Sequence, residues 1–145
     1  MSLKQEIEAL RQVPIFAEIE PAQLKLLAFM SERVAFDPGE RLMQQGDLAD
    51  TAYLIVDGHA EVILETPNGP VMVATLGANV IVGEMGILGN APRAATVRAK
   101  DRLIALRISK EPFMRMVREF PTVAVSIMQE LVQRLHRRNG EFGEH

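Results

Sequence analysis

The segment "TAYLIVDGHAEVILETPNGPVMVATL", Thr51 to Leu76, contains three short β-rich runs joined by two tight reversals. The first run, TAYLIV, stops at Asp57-Gly58, and the second, AEVILET, stops at "TPNGP", Thr66 to Pro70. Asn68-Gly69 suits a turn that needs positive φ, and the flanking prolines disfavour carrying the ladder into the loop. This is the clearest hairpin signal in the chain.

The same character extends in both directions. RVAF and RLM precede the segment and TVRA and LIALRIS follow it, with DPG and QGD as further turns. Roughly seven or eight short strands, with no long helical pattern between them, imply a small barrel or jelly roll rather than βαβ units. Outside Arg33 to Ser109 the period is helical. "SLKQEIEALRQV" has Leu3, Ile7 and Leu10 at helical spacing, PIF (Pro14 to Phe16) breaks it, and Pro21 suits the first turn of "EPAQLKLLAFM". After the strands, Ser109 reads as a helix cap, Glu111 and Pro112 as a first turn, and Phe113, Met116, Val117 and Phe120 as an apolar face. Pro121 marks a boundary. The last helix spaces Val123, Ile127, Leu131 and Leu135 at steps of four, with Val125, Met128 and Val132 widening the stripe.

The expected fold is therefore mainly β with flanking helices: a double-stranded β-helix, or jelly-roll-like β-roll. Helices occupy 2–30, the roll 31–109 and two further helices 110–138, all in one domain over 1–138. Residues 139–145 read as a tail, and His145 as the first residue of a truncated purification tag.

Totals narrow the function. The chain has 145 residues, 48% hydrophobic and 24% charged, which is the ordinary mixture of one folded domain. No run approaches a membrane-spanning helix, and the charged start "MSLKQEIEALRQV" is unlike a secretory signal, so a cytoplasmic location is expected. A net charge of −3 gives no general attraction to nucleic acid. The basic cluster RLHRR, Arg134 to Arg138, fits a solvated helix end. The absence of cysteine removes thiolate nucleophiles and cysteine-based metal sites.

One segment stands apart from this punctuation. "VGEMGILGNAPRAATVRA", Val82 to Ala99, places one carboxylate and one lone arginine among glycines and alanines. Its glycines and the β-branched residues before them disfavour one ordinary helix, so a single turn around Met85 to Leu88 is expected, with free N–H groups near Gly83 and Glu84. Such an N-terminus suits an anion. Arg93 follows Pro92 at the start of a strand, and Ala94 and Ala95 leave room for a compact group. Its rigid fork can take two phosphate oxygens. Glu84 would repel the same phosphate, so its useful role is to accept hydrogen bonds, for instance from sugar hydroxyls. A nucleotide has both features, whereas an internal Glu84–Arg93 salt bridge accounts equally for the spacing.

The chain resembles the cyclic nucleotide-binding domain of the catabolite activator protein family, cyclic-AMP-dependent protein kinase regulatory subunits and cyclic-nucleotide-gated channels. "FDPGERLMQQGDLADTAYLIVDGHAEV", Phe36 to Val62, is similar to the family's opening β-roll, and Val82 to Ala99 to its phosphate-binding cassette in the kinase regulatory form. The resemblance implies that Glu84 accepts the ribose 2′-hydroxyl and Arg93 pairs with the cyclic phosphate. Backbone N–H groups of Met85, Gly86 and Ala94 or Ala95 would complete the cradle, and Gly83 would allow close approach. Val71, Val73 and Ile81 would pack against the base, with Met128, Leu131, Val132 and Leu135 as a lid. Ala94 lacks the hydroxyl common in cyclic-GMP binders, so cyclic AMP is the expected ligand and cyclic GMP the alternative, with no cofactor. Val82 stands where the family usually has an aromatic residue, and Asn79 where it usually has glycine.

Two other readings compete. A cupin-like metal enzyme needs several imidazoles inside the barrel, and the roll offers only His59, beside a turn. A ligand-free scaffold or dimerisation module would leave Glu84 and Arg93 in need of other partners. The expected molecule is not an enzyme but a sensor that moves its C-terminal helices about a hinge near Phe113 to Pro121. Its partner would be another protein or a fused effector reached through the last helix, or a second copy, with no membrane contact and no DNA contact by these residues.

Overall fold

A computed structural model describes residues 2–143, with side chains through Gln133 and at His136. Helix α1 spans Leu3–Arg11 and opens on a reciprocal cap: Gln5 N–H donates to Ser2 Oγ at 3.2 Å, and Ser2 N–H donates to Gln5 Oε1 at 2.8 Å. A 3-10 turn at Pro14–Phe16 leads to α2, Pro21–Phe29, with Pro21 in the first turn as expected.

Eight strands then form two antiparallel four-stranded sheets: β1 Glu32–Phe36, β2 Arg41–Met43, β3 Thr51–Asp57, β4 Ala60–Thr66, β5 Gly69–Leu76, β6 Ile81–Val82, β7 Thr96–Ala99 and β8 Leu103–Ser109. One sheet has the order β1-β8-β3-β6 and the other β2-β7-β4-β5. A short helix α3, Glu84–Gly89, interrupts the roll between β6 and β7, and α4, Lys110–Glu119, and α5, Pro121–Gly143, follow it.

Alternation along the central strands decides where the core sits. On β3, Ala52 and Leu54 face the helices while Tyr53 and Ile55 face the roll interior; on β8, Leu106 and Ile108 face the helices while Leu103 and Ala105 face inward. Both strands are therefore buried on two sides, which is why TAYLIV and LIALRIS are nearly continuous apolar runs. Leu10, Phe16, Leu24, Leu27, Phe113, Val123 and Ile127 complete the helical side of this core. Phe16 and Phe113 meet edge to face at 6.1 Å.

Several local expectations need correction. Pro70 does not end the ladder: it pairs with Glu65, and it is tolerated because β5 is an edge strand. The turn residues are Pro67 and Asn68, with positive φ at Gly69 (107°) and not at Asn68, the arrangement of a turn with proline first and glycine last. Ser109 occupies the cap position of α4 but makes no side-chain cap bond, and its backbone is still paired with Thr51 in the sheet. The two-residue strand β6 was too short to carry a period of its own. Helix α5 continues through Gly143, beyond the expected end at 138, since a glycine lowers helix stability without forbidding the conformation. The side chains of the RLHRR cluster, His136 apart, lie outside the described residues, and His136 is exposed.

Candidate functional site

Three left-handed residues shape the chain from the entry into β6 to the end of α3. Asn79, with φ of 69°, donates its N–H to Ile55 O at 2.8 Å and turns the chain into β6. Gly83, with φ of 90°, stands at the start of α3, and Asn90, with φ of 50°, ends it. Asparagine is the residue besides glycine that most readily takes this conformation, so the family's usual glycine is dispensable at 79.

Past Asn90 the backbone is pinned to the loop between β2 and β3. Arg93 N–H donates to Asp47 O at 2.8 Å, Gly46 N–H donates to Arg93 O at 2.9 Å, and Leu48 bridges Pro92. These bonds place Arg93 across from the start of α3. Its side chain is buried, with only 6% of the residue exposed. Nη2 donates to Thr51 O at 2.6 Å and Thr51 Oγ1 at 3.2 Å, and Nη1 donates to Gly83 O at 3.0 Å. A guanidinium has five N–H donors, so these three bonds leave Nε–H and one Nη1–H for further acceptors.

Burial lowers the Arg93 pKa by desolvation, while Tyr53, Asp50, Asp47 and Glu84, in that order, oppose the shift. Arginine's high intrinsic basicity keeps the side chain charged despite this burial. Glu84 comes last among these influences. Glu84 itself is buried at the first position of α3.

Both residues open into one cavity of about 420 Å³. Small-ligand sites range from about 300 to 1,000 Å³, so a mononucleotide-sized group fits. Of the residues expected at the site, Gly83, Glu84, Met85, Gly86, Arg93, Ala94 and Ala95 all line this cavity. Glycine at 83 and 86 has a steric reason. A Cβ on Gly83 would stand 2.5 Å from Arg93 Nη1, and one on Gly86 would stand 2.6 Å from the Ala49 Cβ.

The expected apolar wall is elsewhere. Val71 and Val73 stand about half exposed on the edge strand β5, and Ile81 packs against the helical side of the core; none of the three lines the cavity. Met43, Val62 and Val97, from β2, β4 and β7, form the wall instead. Met128, Leu131 and Val132 are also away from it, exposed on α5, and the Leu135 side chain lies outside the described residues. Thr51, 42 residues before Arg93, was missed altogether. Nothing local marks it, since a threonine at the start of a strand is ordinary. Val62 and Val97 were legible in principle, because alternation on β4 and β7 turns them inward.

Residues 33–120, more than half of the chain, match the family described as cyclic nucleotide-binding domain. The chain belongs to that family. The cyclic nucleotide-binding domain is 32% identical over 133 residues to a cAMP-dependent protein kinase regulatory subunit of Blastocladiella emersonii, covering 91% of this chain and 32% of that one. It thus spans about a third of that relative's length. Among solved structures it is similar to a cyclic nucleotide-binding-like protein from Brucella abortus, with 34% identity, a TM-score of 0.70, and 78% of this chain and 97% of that chain covered. It is likewise similar to the catabolite activator protein of Thermus thermophilus, with 26% identity, a TM-score of 0.81, and 90% and 62% covered. The matched part of the chain is a cyclic nucleotide-binding regulatory module.

Two expectations outside the cavity can also be placed. His59 is exposed, and its Nδ1 lies 2.8 Å from Asp101 Oδ2 while its N–H donates to Asp101 Oδ1 at 2.7 Å. Among the described residues no group of three or more His, Cys, Asp or Glu could hold a metal ion, and no helix is long and apolar enough to cross a membrane.

Proposed function

We propose that this domain is a sensor that binds cyclic AMP in preference to cyclic GMP. The observation that carries the reading is the convergence of a buried carboxylate and a buried arginine on one cavity with an apolar wall. In this reading Arg93 takes the cyclic phosphate, Glu84 the ribose 2′-hydroxyl, and N–H groups of Met85, Gly86 and Ala94 or Ala95 the remaining phosphate oxygens. The kinase regulatory relative supports cyclic AMP, as does Ala94, which offers no hydroxyl at the rim. A cytoplasmic setting goes with this reading and with a cysteine-free chain.

Binding must be reported by a change of shape, and the β3 start offers a short route. Thr51 holds Arg93 and pairs with Ser109, and Lys110 N–H, at the first residue of α4, donates to Asp50 O at 2.9 Å. The proposed output is a shift of α4 and α5 about Phe113 to Pro121, read by a protein partner or fused effector on the exposed Val125, Met128, Leu131 and Val132 of α5. Such a switch requires cyclic AMP to bind one helix position better than the other.

Calorimetric titration with cyclic AMP and cyclic GMP tests the reading. Heat with cyclic AMP, a weaker response to cyclic GMP, and loss of affinity in Arg93→Lys are expected, because lysine cannot reproduce the two-pronged contact. A folded protein that binds neither nucleotide refutes it. Amide exchange in α4 and α5 that is identical with and without nucleotide refutes the output.

A further inference from the structure

Helix α2 carries large apolar side chains on its outer as well as its inner face, with Lys25 as its one charged residue. Leu24, Leu27 and Ala28 are buried against the core, yet Leu26, Phe29 and Met30 are 58%, 78% and 42% exposed. Large apolar side chains gathered on one outer face are ordinarily covered by a partner. Beside these side chains, α2 and α4 enclose a groove of about 160 Å³ whose walls include Leu26, Met30 and Phe120. It also contains Gln23, whose Oε1 is buried without a hydrogen-bond donor among the described residues. Exposed apolar side chains around a groove with an acceptor inside it have the anatomy of an interface core.

The rim indicates what covers it. Arg115 and Glu119 line the groove one turn apart on α4, and among the described residues neither side chain makes a hydrogen bond or ion pair. Their neighbours Arg118 and Glu111 are already joined at 2.9 Å. A cation and an anion about 6 Å apart along one helix are self-complementary under a two-fold axis. Two antiparallel copies of α4 crossing at the level of Val117 set each Arg115 against the partner copy's opposite charge. We propose that the α2/α4 face is an isologous interface with a second copy of this chain. Arg115 and Glu119 pair reciprocally across it, and Phe29 of each copy supplies the knob that enters the facing groove. The surface is separate from the nucleotide cavity and from the exposed stripe of α5.

Sedimentation of the full chain over a concentration series tests this. The wild type forms a dimer, and Arg115→Glu or Glu119→Arg alone weakens association on the order of 100-fold, because both reciprocal contacts become repulsive. An equimolar mixture of the two variants restores the dimer, since each then supplies the charge that the other needs. Phe29→Ser abolishes association in the wild type and in the mixture, with an unchanged melting temperature showing that an exposed side chain was altered without loss of fold. The inference is overturned if the wild type stays monomeric up to about 1 mM. It is also overturned if the mixture stays monomeric, or if a dimer survives every one of these changes and is lost in Met128→Glu, which would place the contact on α5.

Discussion

Replacing Gly83 with alanine sets a methyl group 2.5 Å from Arg93 Nη1, 2.9 Å from Met43 Cε and 3.3 Å from Thr51 O. The first distance is far inside contact, so the guanidinium must leave the position in which Gly83 O and Thr51 hold it. The backbone also resists, because φ is 90° at this residue, and an L side chain in the left-handed region costs about 1–2 kcal/mol. Gly39→Ala isolates that second effect, since φ is 88° there and a Cβ meets nothing within 4 Å. The control should lose about 1–2 kcal/mol of stability and keep its affinity for cyclic AMP. Gly83→Ala should lose at least as much stability and also the charge-assisted contact to phosphate, about 1.5–3 kcal/mol. That corresponds to roughly 10- to 150-fold weaker binding. Thermal melts and calorimetric titration of the two variants side by side give both quantities. If Gly83→Ala binds cyclic AMP as tightly as Gly39→Ala, then Arg93 in the position described does not meet the phosphate.

Thr51→Val removes the hydroxyl that Arg93 Nη2 reaches at 3.2 Å and keeps the carbonyl it reaches at 2.6 Å, so cyclic AMP binding should weaken only about two- to tenfold by titration. Phe113→Ala deletes a fully buried ring that packs on Phe16 and should cost about 3–5 kcal/mol in denaturant unfolding. The hydrogen bonds from His59, side chain and then backbone, hold the Asp101 carboxyl below its ordinary 3.8. A depressed carboxylate stabilises the fold above its unfolded value, and that contribution is lost as pH falls through the folded one. Asp101→Asn should therefore melt below the wild type at neutral pH, with the gap closing as the pH drops past 3.8.

The β-roll was legible because its evidence is local. Each turn announces itself through residues that tolerate positive φ, and Gly39, Gly46 and Gly58 take it as the DPG, QGD and DG turns require. What escaped notice was either very short, as β6 is, or depended on which strand lies at an edge. Pro70 belongs to the second kind. A proline is excluded from a ladder only where its missing N–H faces another strand, and the order β2-β7-β4-β5 leaves one side of β5 without one. No reading of TPNGP by itself contains that order.

The site divides along the same line. Gly83, Glu84, Gly86 and Arg93 lie within eleven consecutive residues, and the whole segment is folded by its own left-handed turns and its bonds to the β2–β3 loop, so the short stretch stays together in space. The apolar wall and the arginine's anchor come from β2, β3, β4 and β7, brought near by pairings between distant segments. This explains why Val71 stands away from the cavity although β5 is rich in apolar residues. Position 62 on the neighbouring strand faces inward, where β4 lies between β7 and β5. Beyond Ile63 the hairpin has no β7 partner, since the pairing of β4 with β7 covers only Ala60 to Ile63. Val71, opposite Leu64, therefore stands on a two-stranded ribbon and is open to solvent on the part of β5 that projects past the roll. Hydrophobicity marked the strand, and only the length of its neighbour's pairing could say which of its side chains would be covered.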